Sequence, residues 1–539
     1  MLIGAPGAAS PPWPLGGDGT PTPTISHESL ALRQGVQEFV RTEVLPLADR
    51  LEAGELSLLP GLIGLAGAAG IPGATLPEDC GGLGLGVLDG LLVAHGLAGC
   101  PAFATALGAH AGLAGTAIAL GGDASQRARW LPGIADGSTP ACYGLTEPNA
   151  GSDALALRTT ATRDGEDWVL SGSKQFITNA GFAELAVVFA LADGTAFSAF
   201  VVPMDAAGVT LGPEERKLGL HGSSTRALHL DGVRVPADHL LGTAGRGHRI
   251  AFAVLTIGRL RLAAGALGEV RHLLGVIASH CREREQFGQP LAEFALTQAK
   301  VGAITADLLA AEAAVWSCGA RLDGELRAIP AAAYARRAPI RITGLDVEAA
   351  LCKVLASELL GQTADEAVQL FGGYGYMEDA PVARAFRDAR VQRIYEGTNE
   401  ICRLLVAPGL GRRTLLEPPL DADTFLVSCT HALTALLREC LAHADDDDQI
   451  GAVRIADLAA HSLRLDRLAA APSSPERAMA RHVVARDALE QSAVFAARLI
   501  DPNSPVLTRT HALIARMSDA DRLTRSIGKR VLEGQEIVL

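Results

Sequence analysis

The hydrophobic repeat of this chain changes period twice, and no other feature constrains its fold as tightly. From residue 29 to about 137 the pattern is helical: LRQGVQEFVRTEVLPLADRLE sets Leu32, Val36, Phe39 and Val40 on one face. Gly/Pro breaks such as GIPGA and PEDCGGLG separate the segments that follow. Between about 140 and 241 the period falls to two. Residues 160–172 read as a hairpin around Asp164-Gly165, LAVVFALAD and FSAFVVPMD as short strands, and ALHLDGVRVP alternates around Asp231-Gly232. From 247 to about 407 long Ala- and Leu-rich helices return, broken at Phe287-Gly288 and at FGGYG, and such segments suit a four-helix bundle. Beyond GRRTLLEPPL about 120 further residues read as helices, with 445–448 and APSSPE as loops.

The fold class expected is mainly α with an inserted β domain. The divisions are a flexible segment over 1–25, a helical domain over 26–139, a β domain over 140–243, a bundle over 244–410 and an additional helical domain over 411–539. At 539 residues the length suits several domains, and 48% hydrophobic against 20% charged residues supplies material for their cores. A net charge of −13 argues against a nucleic-acid partner, because phosphate binding needs concentrated positive charge. Nine cysteines without a CxxC pair argue against a disulfide framework or zinc site and suit a reducing compartment. The best candidate for a bilayer span, 251–268, is interrupted by Arg259 and Arg261, so no span is expected. No Lys or Arg precedes Arg33, and the expectation is the cytoplasm of a bacterium.

No GxGxxG follows a strand and no GxxxxGK[ST] occurs, which leaves nicotinamide and P-loop readings without support. GGLGLGVLDG reads as a loop between helices. Three other stretches carry chemistry: CYGLTEPNAGSD (142–153), SGSKQFITNAG with Thr178 at a strand end, and QLFGGYGYMEDAPVARAFRDARVQRIYEGTNEICR (369–403). Together they resemble the paired signatures of the acyl-CoA dehydrogenase family, flavoenzymes that desaturate acyl thioesters. The resemblance covers roughly residues 29–410.

That resemblance implies an N-terminal helical domain, a central β-barrel and a C-terminal four-helix bundle, with FAD held between subunits. Tyr143, Leu145, Thr146 and Ser152 match the first flavin-contacting loop. Phe176, where many relatives carry Trp, and Thr178 match the aromatic-x-Thr beside the flavin N5. Arg284 and Phe287 of REREQFG, with Gln369, Gly372 and Gly373, match residues that reach the FAD of the neighbouring subunit. Thr398 and Glu400 match the last flavin contacts, and Ser152, Arg259 and Gly397 fall on substrate-contacting positions. The glutamine often found after REREQFG is Ala295 here, and an acidic position near the CoA is Thr256.

Glu396 takes the role of general base. A carboxylate with an ordinary pKa near ~4.3 is too weak to remove the α-proton unless a dry, apolar site raises it. Some relatives carry the base on a bundle helix, at the position of Gly258, and glycine cannot serve. The implied reaction converts an acyl-CoA to a trans-2-enoyl-CoA, with a carrier-protein thioester as the variant substrate and an electron-transfer flavoprotein or similar acceptor. Alternatives are a flavin monooxygenase or nitroalkane oxidase, whose members often lack this glutamate, and a non-catalytic assembly factor. TALGAHAGLAGTAIALGG and the extra C-terminal domain resemble the very-long-chain branch, which implies a homodimer rather than a homotetramer. Arg522–Leu532 mixes basic and apolar residues, as a helix in weak peripheral contact with a membrane would, or one packed within the chain. His110 reads as a packed helix residue and 445–448 as a solvated loop rather than a metal site.

Overall fold

The computed structural model describes residues 25–330, 333–411, 424–443, 448–470, 474–517 and 519–535. The flexible segment expected over 1–25 lies outside them except for Ile25, as do residues 445–447 and the connection 412–423.

The N-terminal helices include α1 (His27–Phe39), α2 (Val87–Gly96) and α3 (Pro101–Leu107). Val36, Phe39 and Val40 are buried as their spacing requires, and Leu32 packs on the same cluster. Beyond α3 the backbone widens into a π-helical stretch, Gly108–Gly115, before Thr116–Gly121. Wide turns of this kind concentrate at functional sites. His110 lies in it at 0% exposure. Its Nε2 bonds the Ile134 carbonyl at 2.9 Å while its Nδ1 accepts from the Ala141 N–H, and burial depresses its pKa to about 4, so it is a packed neutral residue.

Eight strands follow: β1 (Ala141–Gly144), β2 (Thr160–Asp164), β3 (Asp167–Thr178), β4 (Leu185–Ala192), β5 (Ala196–Pro203), β6 (Val209–Glu214), β7 (Thr225–Pro236) and β8 (Leu240–Leu241). They pair in the order β6-β7-β3-β2-β4-β5-β8, with β1 parallel to β4. Ala186, Val188 and Ala190 of β4 enter the core of the sheet itself, while Val187 and Phe189 face the helices. A strand covered on both sides needs the unbroken apolar run LAVVFALA. The two Asp-Gly pairs part ways here. Asp164-Gly165 ends β2 at the hairpin, with Asp164 opposite Asp167. Asp231-Gly232 instead forms a bulge inside β7: Leu170 opposes Val233 and Gly172 opposes Leu230, so two residues face Ser171 alone.

The bundle is built from α4 (Gly247–Glu283), α5 (Ala295–Arg327), α6 (Asp346–Phe371) and α7 (Asn399–Gly411). Contrary to the sequence expectation, three helices are long and apolar enough to cross a membrane: Pro101–Gly121, α4 and α5. Most of their residues are buried inside the chain, and a helix apolar on all sides is what the centre of a bundle requires. Of the C-terminal helices, α8 (Ala520–Leu532) holds the proposed surface-seeking segment. Its apolar side is already covered. Ile527, Gly528, Val531 and Leu532 are buried, and Gly528 lies so close to α5 that a Cβ there would stand 1.8 Å from the Gln298 carbonyl oxygen. The intrachain reading therefore accounts for this helix. All nine cysteines are buried and free, and the described residues hold no cluster that could bind a metal.

Candidate active site

The catalytic candidate stands on a turn of two consecutive left-handed residues, Glu396 at φ 56° and Gly397 at φ 85°. Glycine adopts this conformation freely; for glutamate it costs about 1–3 kcal/mol and persists only where its surroundings impose it. Two buried cations impose it. Arg259 Nε donates to the Glu396 carbonyl at 3.0 Å, and Lys353 Nζ to the Gly397 carbonyl at 2.9 Å. Lys353, at 0% exposure, also donates to Asn399 Oδ1 at 2.7 Å, and Asn399 Nδ2 continues to Ser357 and Glu358. Burial lowers the Lys353 pKa to about 8. Arg259, which the resemblance puts among the substrate-contacting positions, holds the turn itself through its bond to the Glu396 carbonyl.

The Glu396 carboxylate lies against α4 where it has no side chain. A Cβ on Gly258 would meet Oε2 at 2.8 Å and Oε1 at 3.2 Å. Oε2 is buried without a hydrogen-bond partner. Burial raises the Glu396 pKa to about 7, against the lowering pull of Arg259, Lys353 and Arg261. A bare carboxylate poised near neutrality is a competent general base. It opens on a cavity of about 190 Å³ between α2, the π-helical stretch and α4, whose walls include Thr178, Leu262 and Leu113.

Arg261, one turn from Gly258, also lines this cavity. It donates to Gly112 O at 2.8 Å, Thr75 Oγ1 at 2.7 Å and Thr116 Oγ1 at 3.3 Å, which ties α4 to the π-helical stretch. Burial lowers its pKa to about 10.

The sequence-matched positions form two groups. Tyr143 and Leu145 are buried at the end of β1, and the Tyr143 hydroxyl has no partner. Thr146 and exposed Ser152 follow in the loop. Phe176, at φ 59° and 58% exposed, holds its ring outward, and Thr178 reaches the cavity of Glu396. Thr398 Oγ1 accepts from the Ile401 N–H at the start of α7, and Glu400 is exposed beside it. Ala295 opens α5, and Thr256 is buried with its hydroxyl bonded to Phe252 O within α4.

The second group lies elsewhere. Gln369 stands 16 residues beyond Lys353 on α6, about 24 Å along the axis at 1.5 Å per residue. There it joins Gly372 (φ 61°) and Gly373, neither with an atom within 4 Å of an added Cβ. Arg284 stacks over Tyr374 at 6.0 Å, and Phe287 is 95% exposed at φ 54°. One chain does not bring this group to Glu396.

Sequence reasoning missed the supports. Lys353 sits alone in an apolar run, ALCKVLASELLG, and that isolation was its one signal. Glu147 and Lys174 form a second hidden pair under the 142–153 loop. Lys174 Nζ lies 2.7 Å from Glu147 Oε1, which also accepts from the Thr159 hydroxyl, while Oε2 accepts from the Arg158 N–H. Burial opposes the Glu147 charge, but Lys174 and these donors outweigh it and hold its pKa below the usual range.

Three family models match in chain order: the acyl-CoA dehydrogenase N-terminal domain over 26–138, the middle domain over 142–233 and the C-terminal domain over 245–411. The chain belongs to the acyl-CoA dehydrogenase family. A probable acyl-CoA dehydrogenase of Bacillus subtilis (strain 168) is 41% identical over 387 residues, covering 71% of this chain and 65% of that protein. The human mitochondrial short-chain specific acyl-CoA dehydrogenase is 34% identical over 71% of this chain and 89% of its own length. A crystal structure of a Bacillus anthracis acyl-CoA dehydrogenase complexed with FAD superposes with a TM-score of 0.88 at 30% identity, over 95% of this chain and 96% of that one.

The residues present fit a flavin beside Glu396. A buried tyrosine hydroxyl lacks a partner, a threonine shares the cavity with the base, and an aromatic ring at positive φ faces outward at the strand end.

Proposed function

We propose that this chain catalyses FAD-dependent α,β-dehydrogenation of a fatty acyl thioester, acyl-CoA to trans-2-enoyl-CoA. One observation carries the reading: the Glu396 carboxylate lines a largely apolar cavity with its Oε2 buried and unpartnered, and its pKa is raised to about 7. Bound FAD supplies the hydride acceptor and, through its ribityl chain, a hydroxyl group. Tyr143, Leu145, Thr146, Ser152, Phe176, Thr178, Thr398 and Glu400 are the residues of this chain that would hold it.

The protein's own part is proton removal and orientation. Glu396 takes the α-proton, a step that needs the carboxylate bare and unhydrated, and both conditions hold at Oε2. The Glu396 N–H has no acceptor among the described residues, which leaves it free to donate to a thioester oxygen as enolate character develops. Arg259 and Lys353 fix the peptide planes that aim both groups. Ser152 and Gly397 stand at the substrate edge of this turn and loop.

Arg284, Phe287, Gln369, Gly372 and Gly373 serve the site of a second copy in this reading, which makes the enzyme a homodimer or homotetramer. The helices beyond residue 411 and the near-complete overlap with the Bacillus anthracis structure support placement with longer members of the family. In this reading the acceptor is an electron-transfer flavoprotein or similar carrier. The test is anaerobic. Saturated acyl-CoAs of graded length should bleach the purified flavoprotein at 450 nm or so, and Glu396→Gln should abolish the bleaching. A flavin that responds only to reduced nicotinamide, or a colourless protein, would sink the proposal.

A further inference from the structure

The cavity beside Glu396 does not end in hydrocarbon. Along α4 its wall is Gly258, Arg261, Leu262, Gly265 and Glu269, a stripe at helical spacing. Gly258 and Gly265 leave the stripe open beside the base. Glu269 closes it 11 residues further on, about 16 Å along the helix axis. The Glu269 residue is 9% exposed and Gln392 5% exposed, and both border the cavity. Gln392 Nε2 donates to Glu269 Oε1 at 3.3 Å, a long bond. Gln392 Oε1 is buried and has no partner at all. Tyr395 and Thr105 also line the cavity.

An orphaned amide oxygen in a dry cavity costs about 1–3 kcal/mol, and that cost disappears when a ligand donates to it. A pocket meant only for methylenes would carry leucine or phenylalanine at these two positions. We propose that Glu269 and Gln392 form a hydrogen-bonding subsite at the distal end of the acyl cavity, and that the preferred thioesters carry a hydroxyl group there. This rests on the dehydrogenase reading above and names its substrate class.

A hydroxyl fits because it can both donate and accept. Gln392 Oε1 lacks a donor, and burial raises the Glu269 pKa to about 8, which keeps that carboxyl protonated and able to donate. A distal carboxylate fits less well. Arg261, the cation on this cavity, already spends donors on Thr75, Gly112 and Thr116. A site built to bond a hydroxyl discriminates strongly against the analogue that lacks it.

The experiment compares plain acyl-CoAs with terminally hydroxylated acyl-CoAs of about six to twelve carbons, on the flavin-loaded enzyme, by anaerobic flavin reduction. Unreactive thioether analogues give affinity by calorimetry. At one chain length kcat/KM and affinity for the hydroxylated compound should exceed those for the plain one by at least ~10-fold. Glu269→Met and Gln392→Met should each bring that ratio near unity while plain substrates stay within ~3-fold, and Glu269→Gln should keep the preference. Equal use of both series at every length overturns the subsite while the dehydrogenase stands. So does a preference for an ω-carboxylate, or a parallel loss of both substrates in the Met variants, which marks a structural bridge. If no thioether analogue binds and no acyl thioester bleaches the flavin, the dehydrogenase reading itself has failed.

Discussion

Gly258→Ala should leave the protein folded and cripple the reaction, and the two effects can be worked out separately. The added methyl carbon would stand 2.8 Å from Glu396 Oε2, 3.0 Å from Cδ and 3.2 Å from Oε1. Relieving those contacts to ordinary van der Waals separation moves the carboxylate by about 0.5 Å. For stability, alanine in a helix interior gains about 1 kcal/mol over glycine, and forcing the Glu396 side chain off its rotamer costs about 0.5–1.5 kcal/mol. These nearly cancel, so the melting temperature should barely move. For chemistry, a misplacement of about 1 Å costs on the order of 100-fold, so half of that should slow flavin reduction between ~10- and 100-fold. The assay is stopped-flow reduction of bound flavin by a saturated acyl-CoA, with thermal melts on the same samples. A variant that reduces its flavin at the parental rate would show that the carboxylate does not rest on α4 during proton removal. One that slows only in step with a large fall in melting temperature would point to general damage instead.

Glu396→Gln should stabilise the protein above neutral pH as it abolishes turnover. The folded-state pKa of about 7 lies above the usual 4.5, so the contribution of this group is fully present below 4.5 and is lost as pH rises through 7. The variant should gain on the order of 2 to 3 kcal/mol at pH 8 and nothing near pH 4, read by denaturant titration at both. The first-turnover rate should itself rise with pH around 7. Lys353→Met, which removes one of the three cations holding that pKa down, should move the midpoint to higher pH, and an unmoved midpoint would leave Lys353 no electrostatic part. Gly302→Val should free α8 from α5, because even a Cβ there would lie 1.8 Å from the Thr524 carbonyl oxygen. Limited proteolysis should then cleave near residues 518–520 in the variant alone.

How far the sequence could be read depended on whether a residue's partners lie near it along the chain. The Tyr-Glu-Gly-Thr turn was legible because its strain is local: a glycine follows the base, and Gly258 offers no rival. The period change located the β domain for the same reason. Lys353 was not legible as a support, since it meets Gly397 across 44 residues and only packing makes them neighbours. Gln392 and Glu269 meet across 123 residues, and neither is unusual where it stands in the sequence. Identical dipeptides also diverged. Asp164-Gly165 turns because β3 returns beside β2, whereas Asp231-Gly232 stays within β7, where β3 and β6 pair on either side. The apolar helices misled in both directions. Pro101–Gly121, α4 and α5 meet the length of a membrane span that the sequence reading denied, yet α5 and α8 bury against each other the faces that looked free.

Where the charges stand around Glu396 explains why this carboxylate can act as a base. Three cations lie close enough to pull its pKa down, yet their hydrogen bonds go to backbone, hydroxyl and amide oxygens and none to the carboxylate. A direct bond from Arg259 or Lys353 to Oε2 would stabilise the ionised form and leave a poor base. Bonded instead to the carbonyls of Glu396 and Gly397, the same cations hold two left-handed residues in place and leave burial to dominate the titration. The turn is locally costly, with a strained glutamate and a bare buried oxygen, and the bundle packed around it absorbs that cost. Moving either cation's contact from carbonyl to carboxylate would relax the turn and end the chemistry together. The separation of holding from titrating is therefore the design element of this site, and Gly258 is its enabling residue, because only a helix without a side chain there leaves room for the carboxylate to lie against it.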